Sequence, residues 1–192
     1  MPDVNAAALN FLLNRRSRPA KTLSAIGPDR SELEVILTAA ARTPDHGKLE
    51  PFRFIVISGD AQTRMAEAVK GQMTNDGEDP EKIAKQSRAM TYGGVIIAVI
   101  CQPKVSEKIP AWEQHLAAGG ACLALLNAAL ASGWGANWLT GWAAQSRWFM
   151  QTHLGLTNEE FVAGFLHIGE ETVKPSDRPR PDIKALTTWV DS

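Results

Sequence analysis

Cysteine is almost missing from this 192-residue sequence, which has two, Cys101 and Cys122. Both sit in apolar stretches without Cys-x-x-Cys spacing, so neither a disulfide framework nor a zinc knuckle is expected, and they read as reduced core residues of a cytosolic protein. Charge of one sign is not in excess either: Lys+Arg number 20 against 21 Asp+Glu, a net charge of -1. No overall field draws the chain to nucleic acid or an anionic membrane, and any phosphate must be bound by local groups. Gly-x-Gly-x-x-Gly, Walker and aromatic-interleaved basic patterns are absent, which leaves dinucleotide-fold, P-loop and nucleic-acid readings without their signals. No Gly-x-Ser-x-Gly marks a nucleophile. The four histidines lack the spacing of a metal site, so no metal is expected. The most apolar stretch, Leu116 to Ala131, is interrupted by Gly119, Gly120 and Asn127 and falls short of the roughly 18 residues of a membrane span. At the N-terminus the charges follow the apolar residues, the reverse of a secretory signal, so export is not expected.

What remains is a sequence with 44% hydrophobic residues, enough for one globular domain with a real interior. Helical spacing covers Val4 to Asn14, ending in Arg15-Arg16. A second helix opens after Asp29, an N-cap residue type, with Leu33, Ile36, Leu37 and Ala40 on one face. "FRFIVIS", "GGVIIAVIC", "GWGANWLTG" and "FVAGFLHIGE" read as strands. Helices are expected from Asp60, from about Pro80, from about Ala111 to Ser132, and near Ala143 to Leu154 with Gly155 as C-cap. Strands separated by helices predict an α/β or α+β sandwich. The long apolar helix needs cover on every side, which points to a homodimer. The proline-rich segment from about 172 to 192 should run over a surface, its own chain's or a partner's.

Four clusters carry possible chemistry. Asp45-His46 in "RTPDHGKLEPF" pairs an acid with an imidazole; the alternative is an Asp45-capped turn with His46 exposed. Arg15-Arg16-Ser17 can bind a phosphate or polyol, because guanidinium offers forked donors. Adjacent helical residues point about 100° apart, so both arginines reach one ligand only where the helix unwinds or the ligand is long; a solvated helix end is the alternative. Trp138, Leu139 and Thr140 lie in "ANWLTG", where glycines allow close approach by a ligand, or Trp138 is ordinary core. Arg178 and Arg180 form a phosphate clamp or a solvated linker.

In their order and spacing, "NRRSRPAK", "ARTPDHGKLEPFRFIVI", "GWGANWLTG" and "GFLHIGEETVKPSDRPRP" resemble the FMN-dependent nitroreductase family across nearly the whole chain. The Pro-Asp-His loop and "WEQ", Trp112 to Gln114, resemble its short YdjA-like branch. The resemblance implies an α+β fold, with an antiparallel sheet flanked by helices, and an intertwined homodimer with FMN at the subunit interface. It implies one domain over 1–192 with an extended C-terminal tail. FMN would be held by Arg15, Arg16, Ser17, Arg42, His46, Lys48, Trp138, Leu139, Thr140, Arg178 and Arg180, part of the set coming from the other subunit. Hydride would pass from NADH or NADPH to the flavin and then to a nitroaromatic, quinone or similar small molecule, with no catalytic side chain required. The residues leave two alternatives open: a flavin-binding or flavin-remodelling protein with little turnover, and a non-flavin module for phosphate ligands.

Overall fold

The computed structural model describes residues 3–191. Its first helix, α1 (Ala6–Asn14), is capped by Asn5, whose side chain accepts from the Ala8 amide. None of its residues is buried. Next comes α2 (Arg30–Ala41), which opens with a complete capping box: Asp29 accepts from the Glu32 amide, and the Glu32 carboxylate accepts from the Asp29 amide. The chain continues through β1 (Phe52–Ser58), α3 (Asp60–Asn75), α4 (Pro80–Ala89), β2 (Val95–Cys101), α5 (Ala111–Ala131), β3 (Gly135–Leu139), α6 (Arg147–Leu154), β4 (Phe161–Gly169) and a last short turn, α7 (Ile183–Leu186).

The four strands form one sheet in the order β1-β2-β4-β3, with every neighbouring pair antiparallel. β2 is buried along its whole length, as its unbroken apolar run requires. Alternation along it divides the core in two. Ile96, Ala98 and Ile100 pack with Val69 and Met73 of α3 and Phe149 of α6, while Val95, Ile97 and Val99 pack with Ile36 of α2 and Cys122 and Leu125 of α5. The architecture is therefore a helix-sheet-helix sandwich of the expected α+β class.

One expectation changes in detail. The predicted helix from Ala143 to Leu154 is two pieces, a single turn over Trp142–Ala144 and then α6, because Ser146 caps a fresh start by accepting from the Phe149 amide. α5, expected to need cover beyond a single chain, has one sealed face, with Ala118, Ala121, Cys122 and Leu125 buried, and one open face, where Leu116 is 66% exposed and Leu123 46%. Among the described residues it alone is long and apolar enough to cross a membrane. Its sealed face packs on the sheet.

Both cysteines are buried and free. Burial pushes the Cys101 thiol up to about 11 and the Cys122 thiol up to about 12, so both stay protonated and poorly nucleophilic at neutral pH.

Candidate functional site

α1 ends at Arg15, whose backbone turns to φ -58°, ψ 147°. The helix unwinds between the two arginines, which removes the angular obstacle to a shared ligand. A cavity of about 770 Å³ results, lined by Arg15, Arg16, Ser17, Asn137, Trp138, Arg178 and Arg180 among others. Two clusters about 160 residues apart in sequence, each ambiguous alone, thus face one space.

The polar groups of this cavity are only partly satisfied. Arg15 Nη2 donates to Ser17 Oγ at 3.0 Å, and Arg180 Nη2 donates to Asp177 Oδ1 at 3.2 Å. Arg15 Nε and Arg16 Nη1 are buried with no hydrogen-bond partner among the described residues. Orphaned guanidinium donors are costly, so two of them in one cavity mark a place prepared for an anion. Desolvation, followed by repulsion from Arg180 and Arg18, pushes the Arg15 pKa below its ordinary value. Arg18 is already engaged by Glu171 at 2.7 Å and by the Arg16 carbonyl at 3.1 Å.

Trp138 is a wall of the cavity, not core, and is 36% exposed. Its indole Nε1–H donates to the Ala163 carbonyl at 3.3 Å. The ring crosses Gly164 so closely that a Cβ there would lie 1.9 Å from Nε1. Gly164→Ala should therefore displace the indole, lower stability by about 1–3 kcal/mol, and alter the near-ultraviolet circular dichroism. An unchanged spectrum would mean the strand relaxes instead.

Leu139 and Thr140 line an adjoining cavity of about 510 Å³, which shares Pro19 and Asn137 with the first. Lys21, Lys85, Gln86 and His167 also face it. Gln86 Oε1 accepts from the Trp142 amide at 3.0 Å and so fixes the turn that follows Thr140. His167 Nδ1 lies 3.1 Å from the Tyr92 carbonyl, and burial lowers its pKa, so the ring is neutral and donates through Nδ1. Lys85 and Gln86 sit in α4 outside any motif, whereas Lys21, Asn137 and His167 lie inside "NRRSRPAK", "GWGANWLTG" and "GFLHIGEETVKPSDRPRP", where no local signal separates a cavity-lining residue from a structural one.

Arg42 and His46 line a separate groove of about 590 Å³ between the end of α2 and α5, together with Asp45, Glu113, Leu116 and Asn127. Lys48 lines none of these three spaces. The loop that carries them is strained: Gly47, Lys48 and Glu50 have φ of 73°, 55° and 49°, a region where non-glycine residues cost about 1 kcal/mol or more each. Asp45 holds the loop, its Oδ1 accepting from the amides of Leu49 at 2.6 Å and Glu50 at 3.3 Å. That is a structural task. Asp45→Ala is expected to cost about 1–2 kcal/mol in urea unfolding and Asp45→Asn, which keeps an acceptor, much less; equal losses would contradict it.

Residues 12–170 match the model of the nitroreductase family. The chain is 33% identical over 183 residues to the Escherichia coli (strain K12) protein named Putative NAD(P)H nitroreductase YdjA, covering 95% of this chain and 98% of that one. Among solved structures, the nitroreductase-like family protein from Bacillus cereus superposes with a TM-score of 0.80 at 21% identity over the whole of both chains. A nitroreductase with bound FMN from Bacteroides fragilis NCTC 9343 does so with a TM-score of 0.72 at 18% identity, covering 98% and 100% of the two chains.

Proposed function

The chain belongs to the nitroreductase family, and from that premise we propose that it is an FMN-dependent oxidoreductase. It draws electrons from NADH or NADPH and passes them to a nitroaromatic, quinone or similar small acceptor by a ping-pong mechanism. The observation that carries this reading is the cavity in which Arg15 Nε and Arg16 Nη1 are buried without partners and Arg180 crowds Arg15. Its chemistry suits a dianionic phosphate on a flavin mononucleotide.

Bound FMN would supply the redox chemistry, and the protein position and charge. Arg15, Arg16, Ser17, Arg178 and Arg180 would hold the phosphate and the ribityl end, beside the wall formed by Trp138, and Leu139 and Thr140 would meet the flavin from the adjoining cavity. Lys21 and Lys85 line the adjoining cavity and would place positive charge near a flavin that reached into it. No side-chain nucleophile takes part.

Arg42, His46 and Lys48 complete the site from a second subunit. In a single chain Arg42 and His46 face a different groove from the arginine cavity, which supports a site shared across a homodimer. Further support comes from apolar surface with nothing to cover it: Leu9, Leu12 and Leu13 of α1, Trp112, Leu116 and Leu123 of α5, and Ile183, Leu186, Trp189 and Val190 of the tail are all exposed. β1 is an outer strand of the sheet, the sort of edge that a second chain covers. The whole of 1–192 acts as one domain whose tail, about 172–192, reaches over the partner. Its setting is cytoplasmic, without a membrane or nucleic-acid partner.

The deciding experiment is the visible spectrum of the purified protein, before and after anaerobic NADPH. A flavin spectrum that bleaches with NADPH and returns with a nitroaromatic or quinone is expected. A protein that stays colourless after added FMN would end the proposal, and bound flavin that no acceptor reoxidises would favour flavin binding without turnover.

A further inference from the structure

His46 is not alone in its groove. Its Nδ1 lies 2.8 Å from Glu113 Oε2, a contact between residues 67 apart in sequence. Glu113 stands in the first turn of α5, its side chain 29% exposed. No motif for chemistry required it, and the pairing exists only because the loop is pressed against the start of α5. The close fit is visible at Gly47, where a Cβ would lie 2.4 Å from Cδ1 of Ile109, four residues before Glu113. Asp45, the other acid in this groove, is committed to the loop amides and is not the partner of the imidazole.

A carboxylate can only accept, so Nδ1 must carry the hydrogen. In a neutral ring that leaves Nε2 without one, as a hydrogen-bond acceptor on the edge turned away from Glu113. Free imidazole in water has no such fixed choice, and the orienting bond at one nitrogen decides what the other can do. We propose that Glu113 is a positioning residue. It holds His46 in the Nδ1–H form with its ring orientation fixed, so that Nε2 is the atom offered to the flavin, where it accepts from a ribityl hydroxyl or a ring N–H. This rests on the reading above that the His46 loop faces FMN in the dimer.

The test has a readout that does not depend on turnover. In flavin-free protein labelled with 15N, long-range 1H–15N spectra at a pH of about 9, well above the usual imidazole range, report which ring nitrogen of His46 is protonated. The Nδ1–H form is expected in the wild type, and in E113Q a shift toward the Nε2–H form. FMN affinity, followed by flavin fluorescence, should fall roughly tenfold in E113Q. It should fall at least as far in H46A, with little additional loss in the double variant. A wild-type ring in the Nε2–H form overturns the inference, and that measurement stands even if E113Q fails to fold. An unchanged tautomer in E113Q overturns it as well. The expected tautomers with unaltered FMN affinity in H46A would instead remove His46 from the flavin, overturning the functional half while the cofactor reading from the arginine cavity survives.

Discussion

Arg16→Ala is expected to weaken FMN binding by one to two powers of ten, the loss that follows from a charge-assisted contact worth about 1.5–3 kcal/mol. The flavin-free protein should respond the other way. Arg16 Nη1 is buried with no protein partner, and the neighbouring Arg15 already sits with its pKa depressed by burial and by Arg180 and Arg18. Removing one cation from this crowd relieves an unpaid desolvation, so the melting temperature without FMN should hold or rise while the stabilisation that FMN confers shrinks. Arg16→Lys keeps charge but not the forked donors and should recover only part of the affinity. Unchanged FMN affinity in Arg16→Ala would take this residue out of the site.

Glu160→Ala should produce the largest loss of stability. The side chain is almost wholly buried immediately before β4, yet it is charged. Its oxygens accept from Arg53 Nε at 2.8 Å, Arg53 Nη2 at 3.2 Å, Gln102 Nε2 at 3.0 Å and the Thr157 amide at 3.0 Å. Three segments of the sheet edge are tied together by one carboxylate. Truncation leaves Arg53 and two other donors without their acceptor, at a cost of about 3 kcal/mol. For a chain of this size that corresponds to a melting temperature lower by roughly 6–12 °C.

The same carboxylate predicts a pH dependence. The Arg53 hydrogen bonds, supported by those from Thr157 and Gln102, outweigh burial and hold the Glu160 pKa below its ordinary value. In the folded state the proton is therefore bound less readily than in the unfolded chain. The contribution is fully present above the unfolded carboxylate pKa, near 4.3, and is lost as pH falls through the depressed folded value. Denaturant midpoints of wild type and Glu160→Gln should converge as pH drops below about 4; a constant gap would mean that Glu160 is not ionised in the fold.

Much of this fold was legible because short-range physics dominates its elements. Asp29 is readable as an N-cap, though the reciprocal Glu32 bond appears only in the structure; Gly155 takes the left-handed conformation that ends α6; and the apolar run of β2 marks a strand, which proves buried along its whole length. The splitting of the predicted helix near Ala143 was less visible, since the apolar spacing continues across the break and only the Ser146 cap interrupts it. Within the site, the arginine pairs were readable as phosphate ligands in type but not in membership. A solvated helix end and a buried anion cradle have the same letters, and they differ in whether water reaches Arg15 Nε and Arg16 Nη1.

The residues by themselves determined a sandwich of strands and helices, the approximate positions of most of those elements, and the residue types able to hold a phosphate, all of which follow from periodicity, capping and side-chain chemistry within a few neighbouring residues. The order and spacing of the four segments that resemble the nitroreductase family narrowed this to the α+β class and a flavin. The tertiary structure decided which of these residues meet. It brought Arg15 and Arg16 to Arg178 and Arg180, decided between the two readings of Trp138 by making it a cavity wall over Gly164, and set His46 against Glu113. Contacts between residues 26 to 160 or so apart depend on how the layers pack, and no local pattern encodes that distance.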